Sequence, residues 1–209
     1  MILITVNDSV QGENLTEMYP YVEWSPDMWG YFNEVPGKEH YRLIANIAKQ
    51  FPENQTFADI GTSEGHSAAA LTANPTAKVI TYDLEDLFAR KPHCYGKKTI
   101  KDHPRIEFRV QNCLKPQEME QLKDLPLIFL DVDPHDGIQE TQIIQTLQYY
   151  GYRGLVVCDD IHLNSGMKWW WESQVPPSIK KVDITKYGHW SGTGVLVFDP
   201  THIDLVVDA

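Results

Sequence analysis

The 209-residue chain carries 29 acidic against 18 basic side chains, a formal net charge of −11, so DNA or RNA would meet a repulsive field and no nucleic-acid partner is expected. Its 42% hydrophobic content, with 6 Trp, 10 Tyr and 7 Phe, fills one packed interior; this excludes a disordered chain and, at this length, two independent domains. No apolar run nears the roughly 20 residues that span a bilayer, so no membrane partner is expected either.

The first 36 residues set Tyr19, Tyr21, Trp24, Trp29, Tyr31 and Phe32 among Pro20, Pro26 and Pro36. This predicts irregular or short helical structure held by its rings: an arm over one sheet edge, or a lid on a substrate pocket. From Lys38 to Phe51, residues Tyr41, Leu43, Ile44, Ile47 and Ala48 recur at helical spacing until Pro52 ends the pattern. Strands are expected at Thr56–Gly61, Lys78–Asp83, Ile106–Val110, Leu127–Asp131 and Leu155–Asp159, with helices at Gly65–Ala73, Gln117–Lys123 and Ile138–Tyr150. Such alternation implies parallel pairing through right-handed crossovers, and short apolar strands imply a sheet covered on both faces. Lys180–Lys186 and Val195–Phe198 break the rhythm and read as a closing antiparallel hairpin. The expected fold is one α/β domain over residues 1–209, a doubly wound, mostly parallel seven-stranded sheet. Cys94, Cys113 and Cys158 lack CxxC spacing and suggest neither a zinc cluster nor a disulfide framework. With no basic leader region in Met1 to Asp8, they predict a soluble protein of the reducing cytoplasm.

Ligands of an open α/β sheet bind beyond the carboxyl ends of its strands, at the switch point. The first of these strands runs into Asp59-Ile60-Gly61-Thr62-Ser63-Glu64-Gly65-His66-Ser67-Ala68, where Gly61 and Gly65 permit a tight turn and the following helix offers unpaired N–H groups. The spacing is not the G-x-G-x-x-G of dinucleotide sites, so an amino-acid carboxylate is a better guest than a pyrophosphate. Asp83 closes the second strand about twenty residues on, where a carboxylate accepts from both hydroxyls of a ribose; the plainer alternative is a turn or cap. Asn112, after the third strand, suits the edge of adenine or makes a turn.

The fourth strand ends in Leu130-Asp131-Val132-Asp133-Pro134-His135-Asp136 and the fifth in Cys158-Asp159-Asp160-Ile161-His162. Parallel neighbours set these ends side by side, and clustered carboxylates repel unless a divalent cation such as Mg²⁺ neutralises them. A metal site is therefore predicted at Asp131, Asp159 and Asp160, with Asp133 the rival for the first position because alternation points it to the same side.

The stretch Asp59 to Ala68, followed by Val79-Ile80-Thr81-Tyr82-Asp83, resembles the first two cofactor motifs of class I S-adenosylmethionine-dependent methyltransferases, above all the metal-dependent O-methyltransferases similar to catechol O-methyltransferase. The similarity covers roughly residues 38 to 165, and the closing hairpin is also that family's way of ending its sheet. The resemblance implies that Gly61 and Gly65 line the methionine part of S-adenosylmethionine, with Asp83 on its ribose. Asp59, Thr62, Ser63, Ser67, Asn112 and Asp131 complete the implied cofactor set. It also implies metal-assisted methylation of a hydroxyl on a small molecule, since an Asp after the fourth strand and an Asp-Asp or Asp-Asn pair after the fifth hold the metal there. The family's Lys, three residues after the first metal Asp, is Pro134 here, which leaves the base and the acceptor open. His135, His162 and His189 are the candidate bases, His135 first, because imidazole titrates near working pH. Macrolide sugar O-methyltransferases and proteins similar to cephalosporin-tailoring hydroxylases carry a similar Asp-Asp pair, so a saturated hydroxyl acceptor stands beside a phenol.

Trp169, Trp170 and Trp171 cannot all face one core from a helix, so at least one ring is expected to line a pocket or an oligomer contact. The segment His189 to Gly194 is either a hairpin turn or a cover for the acceptor. Two further readings are a cofactor-binding interaction protein without catalysis, favoured by the missing Lys, and a nicotinamide-dependent oxidoreductase, opposed by the absent third glycine.

Overall fold

The computed structural model describes residues 1–25, 29–91 and 96–208. Pro26 and Cys94 lie outside them, as does the side chain of Trp29. The chain runs β1 (Ile2–Val6), α1 (Tyr19–Val22), α2 (Trp29–Phe32), α3 (Tyr41–Lys49), β2 (Thr56–Ile60), α4 (His66–Leu71), β3 (Lys78–Asp83), α5 (Leu87–Arg90) and β4 (Ile106–Val110). It continues through α6 (Pro116–Leu122), β5 (Leu127–Leu130), α7 (Ile138–Tyr149), β6 (Leu155–Cys158), α8 (Ser165–Trp169), β7 (Lys180–Asp183), β8 (Gly194–Val197) and β9 (Ile203–Val207).

Seven strands form one sheet in the order β4-β3-β2-β5-β6-β8-β7. The pairs from β4 to β6 are parallel, and β8 runs antiparallel to both β6 and β7. The predicted doubly wound sheet and closing hairpin are thus present. Side chains alternate between two cores, as a period of two requires. Phe57, Leu127, Phe129, Leu155 and Val157 pack on the face of α3 and α4, while Ala58, Ile60, Ile128, Leu130 and Val156 pack on the face of α6 and α7. Three buried alanines, Ala68, Ala69 and Ala70, let α4 lie close to α3 and the sheet.

Register decides where the strands stop. Ile60 stands opposite Tyr82 on one side and Leu130 on the other, and Leu130 stands opposite Cys158. Gly61, Asp83, Asp131 and Asp159 therefore emerge along a single rim, at the point where strand order reverses between β2 and β5.

The ends of the chain differ from expectation. Ile2–Val6, within the segment expected to be irregular or helical, is a strand that pairs in parallel with β9, from Ile2 opposite Ile203 to Val6 opposite Val207. Both runs are rich in β-branched residues and bury alternate side chains, Ile4 and Val6 with Ile203 and Leu205, so each completes the other. The strand expected over Lys180–Lys186 stops at Asp183, whose carboxylate accepts from the Thr185 amide at 3.0 Å and its hydroxyl at 2.6 Å, turning the chain into a short 3₁₀ turn at Thr185–Tyr187. The aromatic arm rests beside the loop after β2: Trp24 meets Phe88 at 5.3 Å, Phe32 meets His66 at 5.5 Å, and the Ser25 hydroxyl donates to Glu64. Of the consecutive tryptophans, Trp170 and Trp171 are buried and Trp169 is half exposed. Among the described residues no helix is long and apolar enough to cross a membrane.

Candidate active site

The loop after β2 is built by main-chain geometry. The amides of Gly61 and Thr62 donate to the Tyr82 carbonyl at 2.9 and 3.1 Å, and the Asp131 amide donates to the Ile60 carbonyl at 2.9 Å. Gly61 sits at φ +97°, and a Cβ there would fall on the Asp131 carbonyl oxygen, so only glycine permits this approach of two strand ends. Beyond the loop, the Ser63 amide donates to one oxygen of Asp83 at 2.9 Å and the Glu85 amide to the other at 3.2 Å.

These residues border a cavity of about 690 Å³ that opens over the ends of β2, β3, β4 and β5. Gly61, Ser63, Asp83, Asn112, Asp131, Asp133 and His135 line it. Leu84, Leu87, Leu114, Gln139, Gln142 and Ile143 line it too, although no strand-end motif marked them; the sequence signal was Leu84, an apolar residue directly after the acidic strand end. The Leu114 amide donates to the side-chain oxygen of Asn112 at 2.8 Å, so Asn112 makes the turn and lines the cavity at once. A second hollow of about 70 Å³ lies on the other side of the loop, among His40, Tyr41, Thr62, Gly65, His66 and Ser67, and shares Gly61, Ser63 and Asp131 with the first. Asp59 lines neither. It is fully buried beneath the loop, where burial pushes its carboxyl up to about 6 against the hydroxyls of Ser67 and Thr81.

The acidic ends of β5 and β6 divide into two groups. Asp131 keeps a side chain one-third exposed, whereas that of Asp133 is 97% exposed and turned outward, so Asp131 is the one that meets Asp160. His135 lies between them, its Nδ1 3.8 Å from Asp131 and 3.6 Å from Asp160, with Nε2 3.3 Å from Asp133. Burial, then the charges of Asp159 and Asp160, raise the Asp131 carboxyl well above the ordinary range. Asp160 has φ +59°, a left-handed conformation unusual outside glycine; both carboxylates approach His189 Nδ1 at 3.3 Å, while Asp159 also meets His40 and Asp160 also meets His135.

Asp159 turns inward to His40 and His189, each with Nδ1 3.3 Å from one of its oxygens. Burial works against its charge, but the two imidazoles hold the carboxyl well below the usual carboxylate range. Burial likewise opposes the charge on His189, yet hydrogen bonds to Asp159 and Asp160 and the charges of Asp159 and Glu39 push it up to about 10. Ser191 donates to Asp160 and lies 2.6 Å from His189 Nδ1, while Glu39 approaches His189 Nε2 at 3.5 Å. His162 stands apart, its Nε2 2.7 Å from Asp183, and it lines neither cavity. His40 was not among the expected site residues; it precedes α3, and only the packing of that helix on the sheet brings it to Asp159.

No family model and no curated protein matches the chain. Solved structures do. A Podospora anserina methyltransferase, PaMTH1, solved with S-adenosylhomocysteine bound, superposes with a TM-score of 0.55 at 15% identity, over 88% of this chain and 86% of its own. The fold is that of the methyltransferases. The O-methyltransferase TomG of Streptomyces achromogenes, in complex with S-adenosylmethionine, agrees at a TM-score of 0.54 and 16% identity over 76% of this chain and 79% of its own. A cofactor-bound protein from MTB gives 0.56 at 19% identity, with the same two coverages, 76% and 79%.

Proposed function

We propose that the chain is an S-adenosylmethionine-dependent O-methyltransferase that methylates a hydroxyl of a small molecule with the help of a divalent cation. One observation carries this reading: the cavity of about 690 Å³ at the switch point joins a glycine-built bend and a ribose-type carboxylate to the Asp131–His135–Asp160 cluster. Ligand pockets of this kind are commonly a few hundred to a thousand Å³.

S-adenosylmethionine supplies a methyl group on a sulfonium. Asp83, already oriented by the Ser63 and Glu85 amides, keeps acceptor capacity for ribose hydroxyls. Leu84, Leu114 and Ile143 give an apolar surface for a flat base, and Gly61 lets the backbone come close to the amino-acid end. Ser67, Thr62 and Gly65 border the smaller hollow beside it.

The donors of Asp131, His135 and Asp160 lie within 4.8 Å of one another, and a cluster in which burial and neighbouring charges raise the Asp131 carboxyl is suited to a hard cation such as Mg²⁺. Asp131 and Asp160 would hold it, with Asp159 behind; when bound, such a cation lowers the pKa of a hydroxyl and fixes its direction. His135 is the base best placed to take the hydroxyl proton, because it lines the cavity between these carboxylates. His189 is engaged by Asp159, Asp160 and Ser191, and His162 by Asp183, and neither histidine lines the cavities.

Calorimetry with S-adenosylhomocysteine tests the cofactor half, with saturable binding expected; no heat at near-millimolar ligand overturns it. Methyl transfer to a panel of phenols and sugars, with and without Mg²⁺, tests the rest.

A further inference from the structure

The structure assigns a second metal site, on the inner side of the acidic rim: we infer that His40, Asp159 and His189 bind a divalent transition metal. The inference does not rest on the methyltransferase reading, because it is argued from the donors of His40, Asp159 and His189 alone.

The donor set is two imidazoles and one carboxylate. Hard ions such as Mg²⁺ prefer oxygen, whereas imidazole suits zinc, copper, iron and nickel. Three protein ligands that leave a position open are also the usual number at reactive zinc and non-haem iron centres.

Spacing agrees with that chemistry. His40 Nδ1 and His189 Nδ1 each stand 3.3 Å from an oxygen of Asp159, and one donor atom from each residue falls within 4.8 Å of the other two. Zinc ligands at about 2.0–2.1 Å in a tetrahedron are separated by roughly 3.3–3.4 Å, the distance from each imidazole to its Asp159 oxygen, with the third separation within 4.8 Å.

Burial supplies the second, independent observation. The side chains of His40 and Asp159 are each only 4% exposed. His40 Nδ1 and Asp159 Oδ1 have no hydrogen-bond partner, although they face each other; their approach lacks the alignment of a hydrogen bond. Two polar atoms buried without an aligned hydrogen-bond partner in the protein are costly. A cation between them would satisfy both.

The rings of His40 and His189 are nearly perpendicular, at 84° with centroids 5.6 Å apart, so they approach from different directions and do not stack. Asp160 links the two clusters, one oxygen 3.3 Å from His189 and the other 3.6 Å from His135. His40 also borders the smaller hollow, next to Asp131, which puts the ion beside the loop after β2.

The test uses the full chain, stripped with a chelator and titrated with Zn²⁺ in excess Mg²⁺, so that oxygen-only sites are occupied. One Zn²⁺ per chain is expected, and His40→Gln and His189→Gln should each weaken it by more than the roughly 10–100-fold that loss of an outer-shell partner costs. Asp131→Asn should leave Zn²⁺ affinity within about threefold, a shift of roughly 0.7 kcal/mol. Should a His variant misfold, pulsed electron paramagnetic resonance of Cu²⁺ on the unmodified chain gives the answer, with two coordinated imidazole nitrogens expected. Fewer than two nitrogens, unchanged Zn²⁺ affinity in folded His variants, or a loss seen only with Asp131→Asn overturns the assignment. Calorimetry with S-adenosylhomocysteine on the same samples keeps its failure separate from failure of the cofactor reading.

Discussion

Beyond β2, β3 and β4 the cofactor end of the cavity carries Asp83, oriented by backbone amides among apolar side chains, with Glu85 beside it. Beyond β5 and β6 it carries Asp131, Asp133, Asp159 and Asp160, interleaved with His40, His135 and His189. The first region is shaped by sterics: a glycine at φ +97° and amides that aim one charge. The second is shaped by charge compensation between carboxylates and imidazoles. Damage to the first should therefore be geometric and indifferent to pH, while damage to the second should depend on pH and metal.

The largest effect is expected from Gly61→Ala. A Cβ at this position overlaps the Asp131 carbonyl, and the positive φ adds strain, so β2 and β5 must part at the switch point. A loss of about 4 kcal/mol or more in chemical denaturation is expected, with no detectable S-adenosylhomocysteine binding by calorimetry. Near-normal stability would mean that the loop is softer than its geometry implies.

Asp159→Ala probes the other region. It leaves His189 and buried His40 without their shared carboxylate, and breaking a buried pair from one side costs about 3–5 kcal/mol. The same melts should show cofactor binding retained in whatever fraction stays folded, the opposite pattern to Gly61→Ala.

Asp83→Ala is expected to separate binding from stability. Hydrogen bonds to a charged acceptor contribute about 1.5–3 kcal/mol, so S-adenosylhomocysteine should bind more weakly by roughly 10–150-fold. Stability should move little, because the Ser63 amide lies in an exposed setting where water can replace the carboxylate.

The pH response of the chelated protein sharpens the contrast. His189 faces Asp159, Asp160, Glu39 and Ser191, and its folded pKa is raised from 6.5 to about 10. A raised imidazole stabilises fully below its unfolded pKa and loses that contribution as pH rises toward the folded value. Asp159 is depressed, so its contribution is present above the ordinary carboxylate pKa and is lost only in strong acid. The His189 contribution should hold up to about pH 6.5 and then fall toward pH 10, by at most about 1.4 kcal/mol per pH unit. Denaturation of His189→Gln across the same range should lack this slope.

The parts of this arrangement that were legible in the sequence are those written locally. Ile60-Gly61, Tyr82-Asp83, Leu130-Asp131 and Cys158-Asp159 announce an apolar strand meeting a polar rim, and alternation with helices sets these ends side by side. What could not be read is set by packing between distant segments. His40 reaches Asp159 only because α3 docks on the sheet, and β1 finds β9 from the opposite end of the chain. Asp160 is left-handed, a conformation that spacing does not encode.

The smallest effect tests whether proximity in sequence to the acidic pair carries any consequence. His162 follows Asp159-Asp160 closely, yet the chain turns after Asp160, its backbone amide donates to the Ser191 carbonyl at 2.7 Å, and its ring is carried to Asp183 on β7. That pair is more than one-third exposed on both sides, a setting in which ion pairs contribute about 0–1 kcal/mol. His162→Ala should accordingly shift stability by about 0.5 kcal/mol or less and leave S-adenosylhomocysteine and Zn²⁺ binding as they were. A clear fall in either binding constant would mean that the hairpin between β7 and β8 transmits to the rim through Ser191, and the boundary drawn between charge-built site and plain surface would have to move outward.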